Sequence, residues 1–254
     1  MDVRTREIQI VANAEALYRA AATEFVRRTQ QAVGTKGLCS VALSGGSTPK
    51  GLYALLADDA TLRRQIPWDT IHFFWGDERH VPPEHADSNY RMVNDAMLSK
   101  VPVPAAHVHR IRSEHPDASQ AADEYEQTLR AFFQVAKGRL PRFDVVFLGL
   151  GPEAHTASLF PGTRALKEQR RLVVSNWVGA FDTVRITMTA SVFNNAACVI
   201  FLVSGEEKAG ALRAVLEGRY QPEHFPAQLI HPVDGRLLWL VDQAAASQLQ
   251  RGQR

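Results

Sequence analysis

Residues 143–155 read Phe-Asp-Val-Val-Phe-Leu-Gly-Leu-Gly-Pro-Glu-Ala-His, a mostly apolar run that ends in two spaced glycines and a histidine. The part from Phe143 to Leu148 predicts a strand that is buried on both faces, because its apolar residues do not alternate with polar ones. Similar apolar runs at 38–43 and 196–203 are separated by helical patterns. This alternation is typical of a parallel sheet covered by helices, so the predicted fold class is α/β.

The rest of the chain continues the same alternation. Strands are predicted at residues 8–11, 70–75, 172–174, 184–188 and 237–241, and helices after Asn13, after Asp87 or Ser88, at 118–136 and at 206–216. One further helix is predicted with Thr48 as its cap and Pro49 in its first turn, a position that suits proline. These elements predict one domain over residues 1–242 and a polar C-terminal tail over residues 243–254.

The composition argues against several classes of function. The 254 residues carry a net charge of +2 and contain no long run of Lys or Arg, so no nucleic-acid partner is expected. No apolar stretch is long enough for a secretory leader or a membrane span, so we expect no membrane partner and a cytoplasmic location. Cys39 and Cys198 lie in apolar runs and are expected to be buried thiols. No metal ion is expected, because no His or Cys pair has metal-ligand spacing.

Four segments rich in glycine, hydroxyl or charged side chains each follow directly on a predicted strand. They are residues 44–48, 76–79, 149–155 and 204–208. The strands of a parallel sheet all point the same way, so the loops that follow them gather at one edge, where ligands bind. The sequence therefore predicts a single site built from these four loops.

The first of these loops has the composition of an anion-binding turn. Its residues are Ser44, Gly45, Gly46, Ser47 and Thr48. Glycines let backbone N–H groups approach a phosphate, hydroxyl groups add donors, and the start of a helix carries partial positive charge. The loop lacks the Gly-Lys-Ser/Thr ending of a Walker A motif, and a plain strand-to-helix turn is the alternative interpretation.

Two cations lie in other loops of the set. Arg79 ends one strand, and its planar guanidinium suits bidentate contact with a phosphate. The alternative for Arg79 is a local ion pair with the acidic residues beside it. Lys208 lies in the first turn of a predicted helix, where a positive charge opposes the helix dipole unless an anion binds there. Its alternative is a solvated lysine paired with Glu206 or Glu207.

The turn at residues 149–154 leads to His155. The turn formally matches the dinucleotide-binding pattern Gly-x-Gly-x-x-Gly/Ala. However, Pro152 interrupts it, and about 20 residues later there is no clear strand that ends in an acidic residue. No nicotinamide cofactor is therefore expected. Histidine titrates near neutral pH and is the usual general base, so His155 is the catalytic candidate. Glu153 and Asp77 are the candidates for orienting it. The alternative is a histidine that is merely hydrogen-bonded within the turn.

These motifs, in this order, resemble the 6-phosphogluconolactonase family. The matching segments are Leu-Ser-Gly-Gly-Ser-Thr-Pro at 43–49, Trp-Gly-Asp-Glu-Arg-His-Val-Pro at 75–82, Asp-Ser-Asn-Tyr-Arg at 87–91, the run at 148–162, Arg-Ile-Thr-Met-Thr at 185–189 and Val-Ser-Gly-Glu-Glu-Lys at 203–208. The stretch His-Thr-Ala-Ser-Leu-Phe-Pro-Gly at 155–162 is the most specific of them. The first segment is less specific, because glucosamine-6-phosphate deaminases share it.

The resemblance implies a single-domain, Rossmann-like α/β fold of the deaminase/ribose-5-phosphate isomerase type, with a mostly parallel sheet flanked by helices. It also implies hydrolysis of a small sugar-phosphate lactone, 6-phospho-D-glucono-1,5-lactone, without a metal or cofactor. The family's histidine corresponds to His155, and its phosphate-contacting arginine and lysine correspond to Arg79 and Lys208. The segment at 185–189 adds Arg185 to the expected substrate-binding residues. We expect a monomer or a homodimer.

Two residues beside the histidine depart from the family pattern. The family commonly reads Asp-Gly-His, where this chain has Glu153, Ala154 and His155. If the family glycine adopts a positive φ, Ala154 carries strain there. Glu153 keeps the negative charge but reaches farther than aspartate. Both changes bear on the placement of His155 more than on the class of reaction.

Two other functions stay open at this point. The first is a glucosamine-6-phosphate deaminase. That family has Asp-Glu-Tyr where this chain has Asp-Glu-Arg at 77–79. It also has a run like Ala-Phe-Asn-Glu after its histidine, whereas residues 156–161 of this chain read Thr-Ala-Ser-Leu-Phe-Pro. Both differences favour the lactonase. The second alternative is a sugar-phosphate sensor without turnover, which the intact His155 disfavours.

Overall fold

The computed structural model describes residues 6–250, which form ten strands. The strands are β1 (Arg6–Val11), β2 (Cys39–Leu43), β3 (Ile71–Trp75), β4 (Asp77–Arg79), β5 (Val108–His109), β6 (Val145–Gly149), β7 (Val173–Val178), β8 (Thr183–Met188), β9 (Cys198–Val203) and β10 (Arg236–Asp242). Seven of them pair side by side in parallel, in the order β1-β10-β9-β6-β2-β3-β5. This arrangement confirms the predicted α/β class with a mostly parallel sheet.

Helices connect the strands and cover the sheet. They are α1 (Ala14–Lys36), α2 (Ser47–Asp58), α3 (Ala60–Gln65), α4 (Asn89–Ala96), α5 (Ala118–Phe133), α6 (Ala190–Asn194) and α7 (Ala209–Glu217). A short 3-10 helix, Glu206–Lys208, leads directly into α7. Within residues 6–250, no helix is both long and apolar enough to cross a membrane.

The central strands are apolar on both faces because both faces are buried. Every residue of β2 and every residue of β9 is buried. On β6 the ring of Phe147 lies 6.0 Å from the ring of Phe25 in α1. Phe201 of β9 stacks on Trp239 of β10, with 3.8 Å between ring centroids. The apolar runs in the sequence therefore correspond to strands sandwiched between layers of side chains.

A second, three-stranded antiparallel sheet, β4-β8-β7, stands beside the first. The sequence predicts β7 and β8 as strands but does not separate them from the main sheet. The chain passes from one sheet to the other at Gly76, which lies between β3 and β4. Its N–H donates to the carbonyl of Leu43 in β2 (2.9 Å), and its carbonyl accepts from the N–H of Met188 in β8 (2.8 Å).

The helix starts are partly as predicted. Asn13 caps α1 by accepting from the N–H of Ala16, and Ser88 caps α4 by accepting from the N–H of Arg91. The prediction of Thr48 as the cap of α2 is wrong. That helix begins at Ser47, and Gly46 precedes it with φ of 103° and no side-chain cap. Such a backbone conformation favours glycine, and it starts the helix one residue before the predicted cap.

The C-terminal residues differ from the expectation of a polar tail from residue 243. Ala245, Ala246 and Leu249 are buried. The carboxylate of Asp242 accepts from the N–H of Ala245 (2.8 Å), which turns the chain back after β10. The packed domain therefore extends past residue 242. Residues 251–254 of the expected tail, and residues 1–5, lie outside the described residues.

Candidate active site

The four loops chosen from the sequence line one cleft of about 210 Å³ at the carboxyl edge of the parallel sheet. The lining combines strand ends with the loops that follow them. It consists of residues 44–49 after β2, Asp77 and Arg79 after β3, Asn89 of α4, residues 149–152 with His155 and Ala157 at and after the end of β6, and residues 202–204 with Lys208 at and after the end of β9. Glu153 and Arg185, also chosen from the sequence, are not part of this lining.

The loop after β2 is held rigidly at its first residue. The N–H of Ser44 donates to the hydroxyl oxygen of Tyr53 (2.9 Å), and that hydroxyl donates to the carbonyl of Ser44 (3.0 Å). The first helical hydrogen bond of α2 runs from the N–H of Lys50 to the carbonyl of Gly46. The N–H groups of Ser47 and Thr48 precede this bond, so they remain free to bind an anion in the cleft.

Arg79 and Lys208 bring positive charge to the cleft. Within residues 6–250, neither side chain has a carboxylate within 4.0 Å, so the local ion pairs considered as alternatives are not formed there. Arg79 donates one bond, from Nη1 to the carbonyl of Asp87 (2.8 Å), while its buried Nε has no partner in that part of the chain. Two cations with unused donors can hold a phosphate.

Arg185 lies directly across the small sheet from Arg79. The two arginines are paired residues of the antiparallel strands β4 and β8. Burial lowers the pKa of the Arg185 guanidinium, and the charge of Arg79 lowers it further. Like charges placed opposite one another destabilise a sheet unless a negative charge lies between or beside them. The carboxylates of Asp77, Asp87 and Glu78 act in the opposite direction on this pKa, so they offset part of the repulsion between the two arginines.

His155 is held by a tight turn that starts at Gly151. The N–H of Gly151 donates to the carbonyl of His155 (2.9 Å), and the N–H of Ala154 donates to the carbonyl of Gly151 (2.9 Å). A Cβ atom on Gly151 would lie 2.0 Å from Nδ1 of the imidazole. Glycine is required here because the ring occupies the space of its missing side chain. Thr156 completes the turn by donating from Oγ1 to the carbonyl of Gly149 (2.8 Å).

The imidazole of His155 has defined neighbours on two sides. Its Nδ1 lies 3.2 Å from Oε1 of Glu153. The ring of Phe160 stacks on the imidazole, with 4.0 Å between centroids and 22° between planes. Contact with the imidazole lowers the pKa of the Glu153 carboxyl, so this group is an anion at neutral pH. An anion at Nδ1 favours the tautomer with the proton on Nδ1, which leaves a lone pair on Nε2.

Asp77 lies in the cleft but is held by other residues. Its Oδ2 accepts from the hydroxyl of Ser158 (2.6 Å), and its carbonyl accepts from the amide of Asn89 (3.0 Å). Of the two carboxylates proposed to orient His155, only Glu153 comes within 4.0 Å of an imidazole nitrogen in the described part of the chain. Asp77 instead connects the small sheet to the loop that carries His155.

Sequence reasoning missed Glu78, which joins two parts of the cleft. Its side chain is 1% exposed. Oε1 accepts from the N–H of Asn89 (2.7 Å), and Oε2 accepts from the N–H of Tyr90 (2.8 Å) and the hydroxyl of Ser88 (3.1 Å). Glu78 therefore caps the start of α4 and fixes Asn89 beside Arg79. The capping signal, a hydroxyl residue before a helix, is present in the sequence, but the carboxylate comes from the preceding strand, β4, outside the usual capping positions.

The sequence also led to predictions about a dinucleotide cofactor, the two cysteines and metal ions. Residues 150–163, which follow the Gly-x-Gly turn, contain no helix, so the turn lacks the helix N-terminus that holds a dinucleotide pyrophosphate. Cys39 and Cys198 are buried, and burial raises the pKa of both thiols. Among residues 6–250, no three His, Cys, Asp or Glu side chains are arranged to hold a metal ion.

The fold and the cleft define an α/β protein with Arg79, Lys208 and His155 in one cleft at the carboxyl edge of a parallel sheet. The chain belongs to the family described as glucosamine-6-phosphate isomerases/6-phosphogluconolactonase, whose model matches residues 12–239. It is 41% identical, over 245 residues, to a 6-phosphogluconolactonase of a Synechocystis strain, covering 96% of this chain and 98% of that one.

Solved structures show the same similarity. A structure described as devB protein is 32% identical and superposes with a TM-score of 0.88, covering 97% of this chain and 100% of the other. The 6-phosphogluconolactonase from Trypanosoma cruzi is 29% identical, with a TM-score of 0.83 and 97% of both chains covered. These matches confirm the expected fold type and the family resemblance.

Ala154 has a left-handed backbone conformation with φ of 62°, as expected if it replaces a positive-φ glycine. Its carbonyl accepts from the N–H of Ala227 (3.0 Å), which holds the strained turn from outside. Such a conformation costs an alanine about 1–2 kcal/mol.

We therefore predict that Ala154→Gly is nearly neutral for stability. Relief of strain offsets the lost methyl group and the greater freedom of the unfolded chain. The matched control is Ala122→Gly in α5, where alanine is equally buried (1% exposed at both positions) but helical. Urea denaturation should show the Ala122 variant to be less stable than the Ala154 variant by about 1–2 kcal/mol. Equal losses would show that the turn at Ala154 is not strained.

Proposed function

We propose that this protein is a 6-phosphogluconolactonase, which hydrolyses 6-phospho-D-glucono-1,5-lactone to 6-phospho-D-gluconate in the oxidative pentose phosphate pathway. Relatives that align over most of both chains carry this name. The observation that carries the proposal is the position of one histidine in the same cleft as two cations. Nδ1 of this histidine lies 3.2 Å from a carboxylate oxygen, and neither cation has a carboxylate within 4.0 Å among residues 6–250. A phosphorylated lactone needs both parts: an anchor for the phosphate and a base for the attacking water.

The phosphate is proposed to bind at the positive side of the cleft. The N–H groups of Ser47 and Thr48 at the start of α2 point their partial charge toward an anion. Arg79 and Lys208 line the same cleft and supply full charges. Arg185 adds positive potential from behind Arg79. Binding energy from the phosphate, which does not react, would fix the lactone carbonyl relative to His155.

His155 is proposed to act as general base and then as general acid. Glu153 favours the proton on Nδ1, so Nε2 is able to accept a proton from water as the oxygen attacks the lactone carbonyl. Backbone N–H groups near Gly45 and Gly46 are placed to stabilise the tetrahedral oxyanion. The protonated imidazole then returns its proton to the ring oxygen as the C–O bond breaks. The product is an open-chain acid, which ionises in solvent.

The proposal includes a location and an assembly state. The substrate carries a phosphate charge, and a charged sugar does not cross a lipid bilayer unaided. We therefore place the enzyme in the cytoplasm, with the sugar-phosphate lactone as its small-molecule partner. We propose that it acts as a monomer or a homodimer.

Replacing His155 tests the base. We predict that His155→Ala lowers kcat for lactone hydrolysis by about 10²–10⁴-fold, the usual contribution of a general base. Because lactones also hydrolyse spontaneously, the uncatalysed rate must be subtracted at each pH. His231→Ala, at an exposed position outside the cleft lining, is the matched control and should keep the wild-type rate.

Two results would contradict the proposal in different ways. A folded His155→Ala variant with the wild-type rate would remove His155 as the base while leaving the activity in place. Release of ammonia from glucosamine 6-phosphate, without lactone hydrolysis, would instead identify the protein as a deaminase.

Replacing Lys208 tests the phosphate anchor. We predict that Lys208→Ala raises KM for the phosphorylated lactone by about 10–100-fold with little change in kcat, since a charge-assisted hydrogen bond contributes about 1.5–3 kcal/mol. The same variant should hydrolyse unphosphorylated glucono-1,5-lactone as well as the wild type does. Lys100→Ala, which breaks a surface ion pair with Asp58, is the control. An unchanged KM, or an equal loss with both lactones, would rule out this role.

A further inference from the structure

A layered contact extends from the imidazole of His155 to the surface of the small sheet. Phe160 is 5% exposed and lies flat against the imidazole, with 4.0 Å between the ring centroids. Phe181 meets Phe160 edge to face, at 5.5 Å and 70°. The guanidinium of Arg185 lies 5.9 Å from the centre of the Phe181 ring. The three contacts connect His155, in one loop, to residues 181–185 of the β7–β8 hairpin.

Two other neighbours, Glu153 and Gly151, contact the imidazole at its Nδ1 side. Glu153 contacts Nδ1, and Gly151 passes close to the Nδ1–Cε1 edge of the ring. A contact at a single ring atom fixes where that atom lies but not the plane of the ring. Rotation about the bond between Cβ and the ring is soft in histidine, with broad preferences. A flat surface packed against one face of the ring restricts this rotation.

Phe160 supplies that surface, and its own ring packs against Phe181. Aromatic pairs at such distances and angles contribute about 0.5–1.5 kcal/mol beyond the area they bury. Phe181, at the hairpin tip, is 53% exposed, and its ring contacts both Phe160 and the guanidinium of Arg185. Arg185 lies opposite Arg79 in the sheet, so the same hairpin supports both the imidazole and the cationic side of the cleft.

From this geometry we infer that Phe160 is a positioning residue for His155, and that Phe181 and Arg185 support it from the β7–β8 hairpin. The stacked ring holds the imidazole plane so that Nδ1 faces Glu153 and Nε2 faces the cleft. This inference rests on the proposed role of His155 as general base. Phe160 itself is not in the cleft lining and is assigned no contact with substrate.

The test replaces the flat ring with an aliphatic side chain of similar bulk. In Phe160→Leu, kcat should fall by about 10–100-fold, since small misplacements of a catalytic group have effects of this size. KM should stay within about threefold, because Arg79 and Lys208 are untouched. At least one of Phe160→Tyr and Phe160→Trp, which keep an aromatic face, should recover most of kcat.

A matched control separates positioning from a general loss of packing. Phe132 packs against the imidazoles of His72 and His109, with centroid distances of 4.7 and 5.4 Å, outside the cleft lining. Phe132→Leu removes the same ring from other histidines, so it should leave kcat unchanged. Its loss of stability gives the scale on which to compare the loss in Phe160→Leu.

Nitrogen-15 NMR of the His155 ring gives a readout that does not depend on turnover. In the wild type the two nitrogens should show one dominant tautomer, protonated at Nδ1. In Phe160→Leu the shifts should move toward an average of the two tautomers. Wild-type shifts together with wild-type kcat in Phe160→Leu would overturn the inference.

The two proposals fail in distinguishable ways. If His155→Ala is inactive but Phe160→Leu behaves as the wild type in both measurements, the base stands and the positioning role is wrong. If His155→Ala is fully active, the proposed base is wrong, and the nitrogen shifts alone decide whether Phe160 orders the ring. A kcat loss that neither aromatic variant recovers would also count against the flat face as the cause.

Discussion

Parallel pairing of the central strands is the constraint on which the site depends. β2 pairs with β6 through Val41 and Val145, and β6 pairs with β9 through Gly149 and Leu202. Because the three strands run in one direction and in close register, the loops that follow them emerge side by side. Neighbouring strands lie about 4.8 Å apart, so three adjacent loops can contact one small ligand. The antiparallel sheet then brings Arg79 to the same edge.

Two cations of the site, Arg79 and Lys208, have no carboxylate within 4.0 Å in the described part of the chain. Arg79 faces Arg185 across a strand pair, and Lys208 stands at the start of a helix, where the helix dipole is also positive. Each arrangement is unfavourable alone, and the phosphate of the proposed substrate would relieve both. A ligand that binds only the folded chain stabilises it, by about 2.7 kcal/mol at a concentration a hundred times Kd. Binding strength and fold stability are therefore coupled at this edge.

The sequence alone was sufficient to predict the features that lie next to apolar runs. Each of the four loops follows a buried strand, so both the sheet and the convergence of the loops follow from the pattern. Contacts between distant segments were not predictable. The opposition of Arg79 and Arg185 depends on how β4 and β8 pair, and the stacking of Phe160 on His155 depends on a loop path without regular structure. The start of α2 was misplaced because it depends on the φ of Gly46.

The order of strands in the parallel sheet has a consequence for how the chain is made. β1 is an edge strand, and its neighbour in the sheet is β10, the last strand of the described chain. A ribosome releases β1 first, yet this strand has no place to pair until residues 236–242 have followed. Ala227, which holds the turn at Ala154, also arrives long after that turn. During synthesis the nascent chain therefore carries the unpaired strand β1 and a loop with His155 that lacks its bond to Ala227, and both are completed only late in translation.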